Sequence, residues 1–400
     1  MRRKSRTVLV AGGGIAGLTT ALALAREGFR VDLFEQADAF DTIGAGIQLS
    51  PNALSVLEGL GLNNLIRTVA TAPVAICVMS ATSATPVVEI PLGRHSLERY
   101  GRPYLVIHRA DLQQALLSAC SENPDVNQHM ASRVEDVAAH ANGVTALVRQ
   151  GRAIEEFNGI ALVAADGVRS RLRQTHFGAG PPVYSGLTAW RALIPADLVS
   201  RSDDLDNTRL WMGSNAHAVT YPVRGGRYLN VVVIQRAPAP GTGKAESASA
   251  RDMRQNLRRW TPAFTDLLSH NAKWTRWPLY RAPALKHWTD GPIALAGDAA
   301  HAMLPFAAQG AAMGIEDARI IATNLRQAVD SGEGAAAAMA CYERSRRTRV
   351  ARAQRLADTN RLIYHLPMPF SLGRNMGMRM LGGERLLARQ DWLYRWTPDA

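Results

Sequence analysis

The chain has 400 residues and a mass of 43.4 kDa, which predicts two or three structural units at roughly 100–200 residues per domain. Because 47% of the residues are hydrophobic and 20% are charged, the composition excludes a disordered chain and a small disulfide-stapled module. The formal net charge of +12 favours anionic partners such as nucleotides or carboxylates. The three cysteines form no CxxC pair, so we expect a cytoplasmic protein without a structural metal.

The first predicted elements are a β-strand over Thr7–Ala11, a helix that ends at Gly28 and a second strand over 29–34 that closes with Glu35. Basic residues at positions 2–4 imitate the start of a secretory signal, but three consecutive glycines interrupt the apolar run. A strand, a turn and a helix explain the same residues better. No run approaches the ~20 apolar residues that span a bilayer, so we expect no stable membrane insertion.

The turn between this strand and helix carries the G-x-G-x-x-G pattern as Gly12, Gly14 and Gly17. Gly12 permits the tight turn, Gly14 lets a pyrophosphate approach the backbone, and Gly17 lets the helix pack closely on the sheet. The helix N-terminus offers free N–H groups to phosphates. Glu35, 18 residues after Gly17, is placed to accept hydrogen bonds from an adenosine ribose. The pattern predicts a dinucleotide site but does not separate NAD from FAD.

Two later apolar strands, predicted at 159–165 and 292–296, each run into a polar motif. The residues of these motifs are Asp166, Gly167, Gly297, Asp298, His301, Pro305, Gln309 and Gly310. A carboxylate at the end of a strand, such as Asp298, can accept hydrogen bonds from sugar-alcohol hydroxyls, and a helix N-cap is the alternative for this residue. We expect His301 to be hydrogen-bonded rather than to bind a metal. Apolar periodicity from about Gln309 to Leu325 predicts a helix.

With these three motifs in this order, residues 7 to 360 resemble the single-component FAD-dependent aromatic hydroxylases, the family of the salicylate, hydroxybenzoate and 6-hydroxynicotinate enzymes. The resemblance implies a bound FAD and NADH or NADPH as co-substrate. It implies that Asp298 binds the ribityl chain and that the N-terminus of the helix after Gln309 points at the isoalloxazine. Beyond Gly12, Gly14, Gly17 and Glu35, the expected cofactor residues are Arg109, Asp166, Gly167, Gly297, Asp298, Gln309 and Gly310.

We expect an α/β fold in which a discontinuous Rossmann-type FAD-binding domain is joined to a mainly antiparallel β-sheet substrate domain and C-terminal helices. The expected ranges are 1–72, 102–180 and 284–340 for the first, 73–101 and 181–283 for the second, and 341–400 for the third. Six arginines between 344 and 355 have helical spacing, and a solvated helix face is favoured over a nucleic-acid groove. For the Met- and Trp-rich tail, packing is favoured over a partner or membrane surface.

The substrate side is predicted on a strand over 216–223, where His217, Val219 and Tyr221 share one face. His217 and Tyr221 would lie about 13 Å apart along the backbone and could flank one aromatic ring above Val219. The residues alone give equal weight to two ordinary edge residues, and the resemblance favours the substrate pair. Arg191 could bind a substrate carboxylate, with a surface arginine as the alternative.

The resemblance implies a small aromatic substrate, phenolic or hydroxy-heteroaromatic and carboxylate-bearing, that lies beside Pro305. NAD(P)H would reduce FAD, O2 would form a C4a-hydroperoxide, and a ring deprotonated by His217 or Tyr221 would attack it. The alternatives are a ubiquinone-pathway-type hydroxylase, a flavin-dependent halogenase and a non-catalytic basic flavoprotein. The residues do not identify the aromatic compound, the preferred pyridine nucleotide or the oligomeric state, for which a homodimer stays open.

Overall fold

The computed structural model of the protein describes residues 6–40, 46–199, 205–238, 245–270 and 272–398. The fold is mixed α/β, as the sequence predicts. The strands are β1 Thr7–Ala11, β2 Arg30–Phe34, β3 Gly46–Leu49, β4 Ala75–Ser80, β5 Pro86–Pro91, β6 Leu105–His108, β7 Val126–His129, β8 Ser132–His140, β9 Gly143–Gln150, β10 Ala153–Gly159, β11 Ala161–Ala164, β12 Val183–Pro195, β13 Thr208–Met212, β14 Ala216–Val223, β15 Tyr228–Arg236, β16 Glu246–Ala248, β17 Trp274–Arg281, β18 Thr289–Asp290 and β19 Ile293–Leu295.

The helices alternate with the strands in the first part of the chain and follow one another at its C-terminal end. They are α1 Ile15–Arg26, α2 Pro51–Gly59, α3 Asn63–Val69, α4 Gly93–Tyr100, α5 Arg109–Ser121, α6 Arg171–Thr175, α7 Ala250–Arg254, α8 Pro262–Thr265, α9 Asp298–His301, α10 Gly310–Ser331, α11 Ala335–Tyr364, α12 Phe370–Leu381, α13 Gly383–Ala388 and α14 Asp391–Tyr394. Short 3-10 turns cover Ala196–Leu198, Gln255–Leu257, Asp266–Ser269 and Pro305–Ala307.

The first sheet has the order β18-β19-β11-β1-β2-β7 and is parallel apart from its edge strand β18. Strand β11 and residues 8–11 of β1, at the centre of this sheet, are apolar and buried, as in parallel sheets that are covered on both faces. The segments after β1, β11 and β19 carry Gly12, Asp166 and Asp298. Since these strands are parallel, the motif residues all lie at one edge of the sheet.

Close packing at this edge depends on glycine. A Cβ on Gly17 would lie 1.8 Å from the carbonyl oxygen of Gly12, so no larger residue allows α1 to begin there. Gly297 has a φ of +57°, and a Cβ on it would lie 2.9 Å from the Cβ of Ala16. Gly314 of α10 approaches Ala16 from the other side. Small residues therefore bring α9, α10 and α1 together beneath the edge.

The second sheet has the order β16-β17-β12-β15-β14-β13-β4-β5, and its pairs are antiparallel except for β13 with β4. One face packs on α7 and α8 through a core that includes Trp190, Trp211 and Phe264. Because side chains alternate along a strand, Arg191 and Tyr221 lie on the opposite face. A smaller antiparallel sheet, β10-β9-β8, flanks the first sheet. The division into domains at the residues given above stays a prediction.

The C-terminal helices differ in how they pack. Helix α10 extends beyond the predicted range to Ser331, and α11 runs for 30 residues alongside it. Trp392 and Trp396 pack back against the main core, whereas α12 has no buried residue and exposes Met376 and Met380. No helix in the described part of the chain has the length and apolar character to cross a membrane.

Candidate active site

The fingerprint glycines line a cleft of about 660 Å³ at the carboxyl edge of the first sheet. Gly12 has a φ of +103°, and a Cβ on it would lie 2.5 Å from the carbonyl oxygen of Ala165. A Cβ on Gly14, by contrast, would meet no atom within 4 Å, since this residue faces the cleft at the start of α1. The cleft therefore has a backbone floor that a pyrophosphate could approach.

Glu35 closes β2 and forms part of the cleft wall. Its Oε2 accepts the N–H of Gly13 at 2.7 Å, and its Oε1 accepts the N–H of Ala37 at 2.9 Å. These two bonds fix the carboxylate while each oxygen keeps a lone pair for a hydroxyl. The arrangement fits a ribose, as the sequence predicts.

The opposite wall carries Asp166, Gly167 and a group of arginines. Asp166 Oδ2 accepts the N–H of Arg171 at 2.9 Å, and burial raises the pKa of this carboxyl. Arg109, the first residue of α5, also lines the cleft. The positive charges of Arg109 and of the arginines on this wall suit a phosphorylated ligand.

Asp298 lies at the first position of α9, and the N-cap residue of that helix is Gly297. The alternative in which Asp298 serves as a helix N-cap is therefore wrong. Its side chain is exposed to solvent, yet desolvation by the surrounding protein raises its pKa, which the nearby charges of His301 and Arg109 partly offset. Gly310 lies close to its carboxylate, because a Cβ there would be 3.9 Å from Oδ1. Asp298, although it belongs to α9, thus lies close in space to the N-terminus of α10.

Behind this edge, α10 and α11 are joined by a buried network of charges. Arg346 donates to Asp317 Oδ1 at 2.7 Å and also pairs with Glu316, and Arg349 donates to both oxygens of Glu316 at 2.7 Å. The Arg346 and Arg349 side chains are only 2% and 12% exposed. The expectation of a solvated basic face is therefore wrong for these two arginines, because carboxylates of the neighbouring helix neutralise them.

The network also fixes the segment that carries Asp298. Asp317 Oδ2 accepts the backbone N–H of Gly297 at 3.0 Å and bonds to Nε2 of His301. Although burial opposes ionisation, the charges of His301 and Arg346 hold the pKa of Asp317 below its ordinary value. An ionised Asp317 therefore holds both ends of α9. His301 is hydrogen-bonded, as expected, and no metal-binding cluster of His, Cys, Asp or Glu exists among the described residues.

The C-terminal tail covers the outer side of the network. Arg349 donates to the carbonyl oxygens of Trp392 and Leu393, both at 2.9 Å, and its guanidinium lies 5.2 Å from the ring centroid of Trp396. The guanidinium of Arg352 lies 4.0 Å from the ring of Trp392. Contacts of this kind stabilise a cation on an aromatic face. The tryptophans thus pack on α11, and the predicted packing of the tail holds for this part.

The side chain of Gln309 faces the same network. It donates to Ser50 Oγ at 3.0 Å and accepts from Asn52 Nδ2 at 3.2 Å, and Asn52 also donates to Glu316 at 2.6 Å. Its amide is therefore held by protein, and its backbone lies at the beginning of α10 beside Asp298. Sequence reasoning missed Asn52. The sequence signal for such a residue is the adjacent pair Glu316 and Asp317 in an otherwise apolar helix, because buried carboxylates need polar partners.

On the second sheet, His217 lies on the same face of β14 as Tyr221, within a group of rings. Its ring centroid is 4.7 Å from that of Phe306 and 5.4 Å from that of Tyr364, and its Nδ1 is 3.0 Å from His365 Nε2. Phe306 follows Pro305 in a 3-10 turn after α9. The structure therefore places His217 against the segment that carries Pro305. Sequence reasoning missed His365.

Tyr221 lies further along the same face of β14. A Cβ on Gly46 of β3 would lie 2.3 Å from its ring, so the tyrosine packs closely against β3, which pairs with β6 in a separate two-stranded sheet. Val219 belongs to the same apolar cluster. Tyr104, which sequence reasoning also missed, is buried nearby and donates to Gln48.

Arg191 points from β12 to the same side, where its guanidinium lies 5.5 Å from the ring centroid of Trp277. Burial lowers its pKa, and Tyr221 and Arg109 are its electrostatic neighbours. Within the described ranges, its Nε has no hydrogen-bond partner and its charge has no carboxylate partner. The side chain of Arg191 is partly exposed. A partly desolvated cation without a counter-ion suits an anionic ligand group.

Comparison with known proteins relates this geometry to a family. The pattern of the FAD binding domain family matches residues 5–357. The chain belongs to this family. It is 34% identical over 388 residues to 3-hydroxybenzoate 6-hydroxylase 1 of Aquipseudomonas alcaligenes, covering 97% of each chain. It is 33% identical over 363 residues to 6-hydroxynicotinate 3-monooxygenase of Bordetella bronchiseptica, covering 90% of this chain and 92% of the relative.

A solved salicylate hydroxylase in complex with its substrate superposes on this flavoprotein with a TM-score of 0.84 at 25% identity, covering 99% of this chain and 97% of the other. The protein is an FAD-dependent aromatic hydroxylase, a monooxygenase. The non-catalytic flavoprotein alternative is therefore excluded. The mixed α/β class and the FAD cofactor are confirmed as the sequence predicted them.

Proposed function

We propose that this flavoprotein hydroxylates a small phenolic or hydroxy-heteroaromatic carboxylic acid, of the hydroxybenzoate or hydroxynicotinate type, with O2 and NADH or NADPH. One observation carries the proposal. One face of the second sheet presents a buried imidazole, a phenol and an unpaired guanidinium together, at His217, Tyr221 and Arg191. These groups match an aromatic ring that bears a hydroxyl and a carboxylate.

The residues present fit FAD as the resident cofactor. Gly12, Gly14 and Glu35 would hold the adenosine and pyrophosphate, and Asp298 and the N-terminus of α10 would hold the ribityl chain and the ring edge. Arg109, Asp166 and Gly167 would complete the cleft, with Gly297 and Gly310 giving the close backbone approach. When bound and reduced by NAD(P)H, FAD activates O2 into an electrophilic oxygen.

His217 is the base in this proposal. Burial and the adjacent His365 lower its pKa well below the ordinary value, so the imidazole is neutral at neutral pH. A neutral imidazole can accept the proton of a ring hydroxyl, and the resulting oxyanion makes the ring more nucleophilic. Burial raises the pKa of Tyr221, and the nearby charge of Arg191 lowers it only in part, so the phenol stays protonated and can donate a hydrogen bond.

Arg191 and the apolar residues position the ring. A guanidinium can bind a carboxylate through two parallel hydrogen bonds, which fixes the rotation of the ring as well as its place. Val219 would lie below the ring, and Pro305 with Phe306 would close the cleft beside it. This enclosure keeps water from the reacting carbon.

The proposed function is tested by offering the purified holoenzyme 3-hydroxybenzoate, 6-hydroxynicotinate and salicylate, with phenol as the control that lacks a carboxylate. We expect at least one acid to stimulate NADH or NADPH consumption and to yield a product heavier by one oxygen. Phenol should stimulate weakly. Consumption that none of the acids stimulates would contradict the proposal, and a halogenated product or flotation with phospholipid vesicles would favour one of the alternatives.

The role of His217 is tested by His217→Ala. Loss of the base should slow hydroxylation by about 10²–10⁴-fold, while FAD content is retained because the residue lies on the second sheet. The two electrons from each NADH should then reduce O2 to hydrogen peroxide instead of supporting hydroxylation. His140→Ala is the matched control, because His140 is an exposed histidine at the β8–β9 turn. Normal hydroxylation by His217→Ala, or loss of FAD, would contradict this assignment.

A further inference from the structure

His217 and His365 form a pair of imidazoles of unequal exposure. Nδ1 of His217 lies 3.0 Å from Nε2 of His365, and the ring centroids are 5.1 Å apart. His217 is buried, while His365, which follows the last residue of α11, is only half-buried. The pair therefore runs from a buried residue of β14 to a partly exposed residue at the end of α11.

His365 is held firmly in this place. Asn360 donates to the carbonyl oxygen of Phe306 at 3.0 Å, and Tyr364 donates to the same oxygen at 3.4 Å, so the end of α11 is tied to the turn beside the cleft. From the other side, Arg374 of α12 donates to the carbonyl oxygens of Ile363 and Tyr364 at 2.9 and 3.1 Å. A side chain at the end of a helix that is tied on two sides has a defined direction.

A hydrogen bond between two neutral imidazoles needs one N–H and one lone pair. If Nδ1 of His217 donates to Nε2 of His365, then Nε2 of His217 carries the lone pair. This tautomer is the one that a base needs when Nε2 faces the substrate hydroxyl. With His217 as the donor, the contact with His365 holds His217 in this reactive tautomer.

The proton cannot rest on His217 at low cost, because burial disfavours the imidazolium there. Three cations face the outer ring, from Arg361 on α11, Arg236 at the end of β15 and Arg374 on α12. Burial first and then these charges lower the pKa of His365 to about 4. A proton that reaches His365 is thus released rapidly to water.

On the basis of the proposed function, we propose that His365 is the proton outlet of the active site: it orients His217 and carries the substrate proton from His217 to solvent. The substrate O–H bond breaks as Nε2 of His217 takes the proton. Nδ1 of His217 then gives its proton to Nε2 of His365, which loses the proton on its own Nδ1 to water. After hydroxylation the three transfers run backwards, so the product oxygen regains a proton and both rings return to their first tautomers.

The variant His365→Gln separates orientation from transfer. Its amide oxygen can accept the hydrogen bond of His217 Nδ1 and so keep the tautomer, but an amide does not carry a proton onward. The measurement is proton release, followed with a pH indicator in a stopped-flow instrument when oxidised holoenzyme binds 3-hydroxybenzoate, or 6-hydroxynicotinate if only that acid perturbs the flavin spectrum. We expect release to slow by at least about tenfold, with FAD content unchanged.

A second variant guards against a merely structural effect. His365→Ala leaves a half-exposed gap at the end of α11, and free imidazole in the buffer should restore both proton release and the yield of hydroxylated product. Restoration should follow the concentration of neutral imidazole and therefore increase through pH 6 to 8. His140→Gln is the control for a histidine removed elsewhere on the surface, and it should behave like the wild type.

The outcomes separate this proposal from the proposed function. If His365→Gln releases the proton at the wild-type rate, or if imidazole fails to rescue His365→Ala, the outlet is disproved. If His217→Gln is impaired in that case, His217 remains the base. If His217→Gln also releases the proton and hydroxylates normally, the base assignment in the proposed function fails together with the outlet.

Discussion

Two groups of charges near the carboxyl edge of the first sheet differ in whether the protein neutralises them. Behind the edge, Glu316 and Asp317 are matched by Arg346 and Arg349 at hydrogen-bond distance. By contrast, Asp298 and Arg191 have no ion-pair partner among the described residues, and desolvation raises the pKa of Asp298 and lowers that of Arg191. The paired group holds the fold together, and the unpaired group leaves its interactions for ligands.

The difference follows from the cost of burying charge. An ion removed from water must be compensated by a partner, and a buried pair loses several kcal/mol when one member is removed. A charge that is not compensated within the chain destabilises the folded state by itself. Its presence in a cleft therefore indicates a position used for binding.

The largest effect is expected for Arg346→Met, because it leaves Glu316 and Asp317 buried without their main counter-ion. We expect unfolding to become easier by about 3–5 kcal/mol, measured by thermal or urea denaturation of the holoenzyme. Arg344→Met, on an exposed position of the same helix, should change stability by no more than about 0.5 kcal/mol. Equal effects of the two substitutions would show that the network does not hold the fold.

The second effect is on FAD affinity. Asp298→Ala removes a charged acceptor that would bind the ribityl hydroxyls, so FAD binding should weaken by about 1.5–3 kcal/mol, or roughly tenfold to a hundredfold. Stability without FAD should not decrease, because an unpaired carboxylate is removed. Asp197→Ala serves as the control in the same flavin titration, because Asp197 is an exposed aspartate in the 3-10 turn after β12. Unchanged affinity would contradict the assignment of Asp298.

Much of this arrangement could be predicted from local patterns. The glycine fingerprint and Glu35 follow one another within the chain, so their spacing reports the βαβ unit directly. The strand with His217, Val219 and Tyr221 has the same bounds as β14, because alternation along a strand is also local. Such features need no knowledge of distant contacts.

The remaining features depend on residues far apart in the chain. The sequence predicts Arg346 on a basic surface helix. In the structure, α10 places Glu316 and Asp317 against Arg346, although they precede it by about 30 residues. The role proposed for His365 depends on its contact with His217, which lies 148 positions earlier in the chain. Arg191 contacts the ring of Trp277, which lies on a strand that the sequence did not predict. Tertiary contacts, rather than propensity, decide these roles.

A smaller effect concerns pH. His217 and His365 both have folded pKa values below 6.5, so the unfolded chain binds more protons than the folded chain once the pH falls below that value. Stability should therefore decline as the pH drops from about 6.5 toward 4. In His365→Gln this decline should be shallower, since one of the two groups is gone, and urea denaturation at several pH values measures the slope. An unchanged slope would indicate that His365 titrates normally in the folded protein.

The most direct test of the comparison is a binding cycle at Arg191, with 3-hydroxybenzoate and phenol titrated against wild-type holoenzyme and Arg191→Met. An unpaired guanidinium that waits for a carboxylate should give the wild type a preference for the acid of about 10- to 100-fold, and Arg191→Met should bind both compounds nearly alike. The melting temperature of the ligand-free variant should not decrease. A preference that survives the substitution, or a large loss of stability, would contradict the claim that the unpaired charges of the cleft exist for ligands.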